Sequence, residues 1–309
     1  MATRAPTVTY VTPPRLASFP AERAALEYSS RSIVFADDGG ALLRAWGPPE
    51  APYVLRVEEA GARWRVSAWG ADAPGARAAA RAMFSLDHPI EAFYALARGE
   101  PILRRTPAAF RGLRLPRDAN VFESLVHAVV GQQLSVAAAS AMHARLTDAA
   151  GARLSAGGIE VPRTPTPGEI RALGPAGLKA TGLSRAKSAA LLALADRYRA
   201  RAFEGAWLAD GPSEAAIARL DAEPGVGRWT AENALLRGTG RTDLFVAGDL
   251  GIRVALDRFG AVPRDAPEAA ARAWADRWYP GWGSYATLYL WRRLVADRQR
   301  VRGAVVREG

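Results

Sequence analysis

One change of pattern constrains this chain more than any other feature. Up to about residue 82 the apolar residues fall in short runs of strand formers: Arg31-Ser-Ile-Val-Phe35, Ala41-Leu-Leu-Arg-Ala-Trp46, Tyr53-Val-Leu-Arg-Val57 and Trp64-Arg-Val-Ser-Ala-Trp69. Gly39-Gly40, Gly47-Pro48-Pro49 and Ala60-Gly61 punctuate them. From Pro89 onward such runs become sparse and helical spacing takes over. A boundary is therefore expected between Met83 and Pro89, with a β-rich α/β domain over 1–85 and a helical domain over 86–309. The fold class is α+β. The third and fourth runs predict a hairpin that turns at Glu58-Glu-Ala-Gly61 with one buried aromatic and aliphatic face, followed by an Ala- and Arg-rich helix at about 73–84.

Composition excludes whole classes of chemistry. The chain has no cysteine, so disulfides, thiolate zinc sites, iron–sulfur clusters and cysteine nucleophiles are ruled out. A reducing, cytoplasmic compartment is expected. The three histidines, His88, His127 and His143, show no ligand spacing, so no His-rich metal site is expected. No stretch reaches the ~20 apolar residues of a membrane span, and Met1–Tyr10 lacks the apolar region of a signal peptide. The net charge of +10 favours a polyanionic partner. Only +2 of it lies in residues 1–110 and +8 in 111–309, which puts the partner surface C-terminal. Arginine supplies nearly all of it, since Lys179 and Lys187 are the only lysines. Arginine is the better residue for bidentate phosphate contact.

Several helix starts are legible. Asn120 with Glu123 has capping-box spacing, and Phe122, Leu125, Val126, Val129 and Val130 supply an apolar stripe that breaks at Gly131-Gln-Gln-Leu-Ser135. Ser135 caps a second helix carrying Ala138, Met142 and Leu146. Further helices are expected at about 184–198, 213–220, 229–236, 250–258, 267–278 and 284–295. The terminal arginines Arg298, Arg300, Arg302 and Arg307 read as a solvated tail.

The sharpest segment is Leu220-Asp-Ala-Glu-Pro-Gly-Val-Gly-Arg-Trp-Thr-Ala231. A short helix meets Pro224-Gly225-Val226-Gly227 and a second helix begins at once. Two glycines around one apolar residue permit a tight hairpin whose amides stay unshielded at a helix N-terminus, where an anion is favoured. Such a turn, Pro224 to Gly227 with Thr230 on the helix after it, is expected to grip a phosphate without reading a base. Pro-Gly-x-Gly alone also fits a plain corner between helices. Farther on, Asp249 in Phe245-Val-Ala-Gly-Asp-Leu-Gly-Ile-Arg253 is a good N-cap for the helix that ends near Gly260.

Taken as Leu-x3-Pro-Gly-Val-Gly-x-x-Thr-Ala, the hairpin resembles the helix-hairpin-helix element of the base-excision DNA glycosylases, the HhH-GPD superfamily. In that superfamily a Gly/Pro-rich loop and an aspartate follow at this separation, so the resemblance makes Asp249 the catalytic carboxylate. The cap and the catalytic role are compatible, because a cap fixes the carboxylate. Bifunctional members carry a Schiff-base lysine where this chain has Trp229, which implies a monofunctional enzyme with water as nucleophile. Arg228-Trp-Thr-Ala231 and Ser284-Tyr-Ala…Trp291 are similar to the alkylation-repair branch, 3-methyladenine DNA glycosylase II. There, Trp229 and Trp291 would line the base pocket, while Trp282, Tyr285 and Tyr289 fit core packing. Electron-rich rings attract cationic N3- or N7-alkylated purines. Asn233 stands where an aromatic residue would close the pocket floor.

Val121-Phe-Glu…Gly131-Gln-Gln-Leu-Ser135 is similar to the family loop that wedges into the duplex. It places Gln133 at the wedge, where the branch has an apolar residue, with Leu134 as the other candidate. The resemblance also implies an N-terminal α/β domain, an all-helical core of two subdomains, and a monomer acting on double-stranded DNA that contains damaged bases. No cofactor is expected. The resemblance does imply a structural Na+ or K+ held by the backbone carbonyls of Asp221, Glu223 and Val226. Two alternatives stay open: a glycosylase for deaminated, mismatched or oxidised bases on the same scaffold, and a non-catalytic DNA-binding module.

Overall fold

A computed structural model describes residues 5–23, 35–105, 110–199 and 207–307. The expected strand at 31–35 lies almost wholly outside them. The chain forms two compact units that do not follow the sequential division expected at 85/86. The first comprises Met1–Asp87 with Pro116–Gly240, the second His88–Leu115 with Arg241–Gly309. The N-terminal sheet therefore shares a unit with part of the helical region.

In the first unit five antiparallel strands run in the order β1-β5-β4-β3-β2: β1 (Thr7–Val11), β2 (Phe35–Asp38), β3 (Ala41–Trp46), β4 (Tyr53–Ala60) and β5 (Arg63–Trp69). β1, which the sequence did not announce, pairs with β5 from Thr7↔Ala68 to Val11↔Trp64. The expected β4–β5 hairpin closes at Ala60↔Arg63. Leu55, Val57, Trp64 and Val66 pack under helix α1 (Ala73–Met83) with Ala76, Ala80 and Met83. Asp72 caps α1 by accepting the Gly75 amide.

All six residues of β3 are buried, because its other face is also covered. There Ala41, Leu43 and Val54 meet Ala156 and Val161 of a second hairpin, β6 (Arg153–Ala156) and β7 (Ile159–Pro162). This hairpin lies within the region read as helical. Its four-residue strands are too short to give a periodic signal.

The rest of the unit is helical: α3 (Val121–Gly131), α4 (Val136–Ala149), α5 (Pro167–Ala180, broken at Gly174-Pro175), α6 (Arg185–Arg199), α7 (Trp207–Asp210), α8 (Ser213–Asp221) and α9 (Arg228–Thr239). The capping expectation holds in part. Asn120 accepts the Glu123 amide, whereas the Glu123 carboxylate reaches back to the Ala119 amide and not to that of Asn120. α3 and α9 pack closely, since a Cβ on Gly238 would lie 2.8 Å from the Val121 Cα.

The second unit contains α2 (Ile90–Ala97), α10 (Leu250–Arg258), α11 (Glu268–Trp278) and α12 (Gly283–Arg307). Its core is aromatic: the Phe93 ring lies 5.0–5.5 Å from those of Tyr279, Tyr285 and Tyr289. Tyr285 and Tyr289 are thus core residues, as expected, and Trp282 is half-buried beside Tyr285. Among the described residues no helix is long and apolar enough to cross a membrane.

Candidate functional site

The hairpin between α8 and α9 closes through the Val226 amide, which donates to the Glu223 carbonyl at 3.0 Å. Gly225 has φ +76°, and a Cβ there would lie 2.5 Å from the Ala190 Cβ of α6, so no side chain fits. Gly227 is different. Its φ is −95°, and a Cβ would meet nothing within 4 Å. As the N-cap of α9 it offers no side chain to the first-turn amides, whereas α3, α4 and α10 are capped by Asn120, Ser135 and Asp249. The hairpin thus opens on an uncapped helix N-terminus with bare backbone around it, where an anion is stabilised.

The side chains nearby are committed elsewhere. Arg228 forks onto Glu214 at 2.6 and 2.8 Å and also donates to Glu232, so its charge is balanced within the protein. The buried Glu223 carboxylate accepts from Arg197 and Arg219. Burial alone would raise its pKa, but those hydrogen bonds outweigh it and hold the group below its ordinary value. Thr230, expected at the phosphate, is buried, and its hydroxyl accepts from Gln132 Nε2 at 3.0 Å. It supports the hairpin from beneath. Pro224 is exposed on the turn, as is Asp221 at the end of α8.

Trp229 is half-buried on the first turn of α9. Asn233, one turn later, is buried and turns its amide back to donate to the Trp229 carbonyl at 2.8 Å. That donor is used within the helix. Gln133 and Leu134 are both exposed, Gln133 in the left-handed region at φ +58°.

In the second unit Asp249 is the N-cap of α10: its Oδ1 accepts the Ile252 amide at 3.0 Å. The same oxygen accepts the indole N–H of Trp291, on α12, at 2.9 Å. A Cβ on Gly251 would lie 3.0 Å from that oxygen and 3.5 Å from the Trp291 ring, so glycine makes room for the pair. The half-buried carboxylate is therefore oriented by a backbone donor from its own helix and a side-chain donor from another. Leu250, beside it, is 61% exposed, an apolar side chain left in water.

Sequence reasoning missed a buried polar network in the first unit. Arg44 of β3 donates to Asp118, Glu123 and the Arg117 carbonyl. Asp118 also takes Ser124 and Arg237, and lies 3.3 Å from His127 Nδ1. Two histidines without ligand spacing in the sequence meet in the fold: the rings of His127 and His143 stack edge to face at 4.8 Å. One ligand atom each from Asp118, Glu123 and His127 falls within a 4.8 Å cluster. Arg44 and Arg237 already neutralise its carboxylates, so it is a structural ion-pair network and not a cation site. Burial would raise the Asp118 pKa, but the charges of Arg237, His127 and Arg44 hold it well below the usual carboxylate value. Burial, then the neighbouring His127, push His143 well below its ordinary 6.5. Arg44 has no local signal that would have revealed this role.

The first unit thus carries a glycine hairpin that opens an uncapped helix, and the second a capped aspartate that accepts a tryptophan N–H. The family model described as HhH-GPD superfamily base excision DNA repair protein matches residues 126–280, and the chain belongs to that family. It is 38% identical over 195 residues to DNA-3-methyladenine glycosylase 2 of Escherichia coli, covering 61% of this chain and 63% of that protein. It is 34% identical over 221 residues to the probable bifunctional transcriptional activator/DNA repair enzyme AlkA of Mycobacterium tuberculosis, covering 71% of this chain and 42% of that one. The matched region thus spans less than two thirds of either relative. The fold is shared with a 3-methyladenine DNA-glycosylase from Archaeoglobus fulgidus: TM-score 0.80 at 22% identity, over 93% of this chain and 98% of that one.

Proposed function

We propose that this chain is a monofunctional DNA glycosylase of base excision repair that extrudes alkylated purines, 3-methyladenine among them, from duplex DNA and hydrolyses the N-glycosidic bond. The observation that carries the reading is Asp249, held at the start of α10 with Oδ1 bonded to Ile252 N–H and Trp291 Nε1. The name of the Escherichia coli relative, DNA-3-methyladenine glycosylase 2, supports the substrate class, and that of the Mycobacterium tuberculosis relative supports DNA repair.

The chemistry follows from the charges. The C1′–N bond breaks with its electron pair leaving on the base, and an N3- or N7-alkylated purine departs neutral because it began as a cation. Positive charge builds on the sugar, and the fixed carboxylate of Asp249 stabilises it. Water adds at C1′, and its proton passes to the carboxylate or to solvent. Trp229 cannot form an imine, so the sugar–phosphate backbone stays intact. The base must leave the stack first, and the indole faces of Trp229 and Trp291 suit a cationic purine.

The hairpin at Pro224–Gly227 would hold one phosphate through the N-terminal amides of α9. Gly227 needs no special backbone conformation and nothing inside the protein occupies its Cβ position, so its bareness serves an approaching ligand. The carbonyls of Asp221, Glu223 and Val226 are three neutral oxygens bracketing this turn, a donor set suited to Na+ or K+. Among the described residues no backbone hydrogen bond falls on the carbonyl of Asp221 or Val226. A cation there would add positive charge beside the phosphate. The enzyme would act as a cytoplasmic monomer on double-stranded DNA and need no other cofactor.

The test is base release from methylated duplex DNA, with the strand assayed before and after alkali. Free methylated purine with strands intact until alkali is the expected result. Release of deaminated or oxidised bases instead, or of none with DNA still bound, would overturn the assignment.

A further inference from the structure

Lys187 is one of two lysines in a chain with 41 basic residues, and it lies outside the hairpin and the aspartate site. Its Nζ donates to the carbonyls of Val130 and Gln132, both at 2.8 Å. These oxygens stand where α3 ends, and a helix leaves its last carbonyls without partners. A compact ammonium reaches two converging carbonyls, whereas the planar fork of arginine suits a carboxylate or phosphate.

The segment so held is a tight turn. Leu134 N–H donates to the Gly131 carbonyl at 3.1 Å, Gln132 has φ −49° and ψ 127°, and Gln133 has φ +58°. These angles make a type II turn, in which the residue at Gln133 is ordinarily glycine. Such a strained turn persists only where its surroundings fix it. A second fixing point is the Gln132 side chain, whose Nε2 donates to the Gly225 carbonyl at 2.9 Å and to Thr230 Oγ1 at 3.0 Å. One acceptor lies in the glycine hairpin and the other on the helix that follows it. Both the turn and the hairpin rest on one face of α6: Lys187 holds the turn, and Ala190, three residues on, fills the space under Gly225. On the far side of the turn Leu134 and Val136 are 36% and 43% exposed.

We infer that Lys187 and Gln132 form a strut that locks the turn at 131–134 in register with the glycine hairpin, so that a duplex gripped at the hairpin meets a rigid wedge at a set distance. This rests on the function proposed above. Lys187 acts through the turn and touches no reacting atom, which makes it a positioning residue. Its contribution lies in opening a stacked, paired duplex and not in cleaving a base that is already extruded.

Two duplexes separate these steps, one with the methylated purine paired and one with it opposite an abasic-site analogue, where no base pair has to be broken. In Lys187→Met, single-turnover release from the paired duplex falls about ten-fold or more, since unpairing and unstacking together cost a few kcal/mol, while release from the unpaired lesion changes by less than about three-fold. Gln132→Leu reproduces the pattern and keeps the test available if Lys187→Met fails to fold. Fluorescence of 2-aminopurine beside the lesion gives a readout without catalysis: its rise on binding the paired duplex is lost in both variants. Equal losses on the two duplexes, or unchanged rates and fluorescence, would overturn the strut. A wild-type protein that releases no base but still raises the fluorescence would refute the glycosylase reading and leave the strut standing.

Discussion

Asp249 caps a helix and, in the function proposed above, stabilises the sugar cation, and two substitutions pull these roles apart. Its Oδ1 accepts one backbone amide and one indole N–H, while its negative charge is assigned to the sugar cation. Asparagine keeps an amide oxygen for both hydrogen bonds and loses the charge; alanine loses both. Losing an N-cap costs about 1 kcal/mol (range 0.5–2), and leaving the Trp291 donor unsatisfied adds roughly another 1 kcal/mol. Asp249→Ala should therefore lose about 2 kcal/mol, a drop of roughly 3 °C in the thermal midpoint for a chain of 309 residues. Asp249→Asn should stay within about 0.5 kcal/mol of wild type, because surface changes that keep their contacts fall in that range. Base release should behave otherwise. Preorganised electrostatic groups contribute about 10²–10³ in rate, so both variants should lose at least about 3 kcal/mol of transition-state stabilisation. Thermal denaturation and single-turnover release on one methylated duplex give both numbers. An asparagine variant within about three-fold of wild type in release would refute the charge argument. One as unstable as alanine would refute the account of the cap.

Three further outcomes follow from particular contacts. Gly227→Ala should leave the thermal midpoint unchanged, as a Cβ there meets open space, yet weaken duplex binding by about ten-fold because the methyl stands over the amides that would hold a phosphate; unchanged affinity by titration would remove the hairpin from the interface. Arg44→Met should cost about 3 kcal/mol in urea denaturation, because it takes the arginine from the buried Glu123 and one of two arginines from the buried Asp118, which keeps Arg237; a loss under about 1 kcal/mol would show that the network is not needed. His143 is neutral in the folded protein because its pKa lies well below 6.5, whereas the unfolded chain takes up the proton near that pH. The unfolded state then binds more protons, so stability falls with pH from about 6.5 towards the folded pKa, by at most about 1.4 kcal/mol per unit from this residue. His143→Leu should flatten that slope in denaturation curves between pH 7 and 5; an unchanged slope would move the titration elsewhere.

What the amino-acid sequence determined by itself is the part of the structure closed within a few residues. Asn120, Ser135 and Asp249 each cap a helix by accepting an amide three positions on, and that geometry depends only on a short polar side chain and the backbone beside it. The glycine hairpin is legible for the same reason: Gly225 needs a left-handed backbone and Gly227 leaves its amides bare. The strand runs at 41–46, 53–57 and 64–69 announced the sheet, because each is a run of strand-forming residues between turn signals, and the last two alternate as well. The strands of the β6–β7 hairpin are too short to give such a run, and β1 is stabilised by β5 as much as by its own residues.

Tertiary structure alone decided which distant groups meet. Trp291 read as a stacking surface until the fold put its N–H on Asp249, 42 positions away. Thr230 read as a ligand contact, yet its hydroxyl accepts from Gln132, 98 positions away. Lys187 and Arg44 had no local signature, since a long flexible cation is defined by whatever carbonyl or carboxylate the packing brings within reach. A bond closed within a helical turn is written in residue types, while one closed across 42 to 98 positions depends on how helices and sheet bury their apolar faces, which no short window of sequence contains.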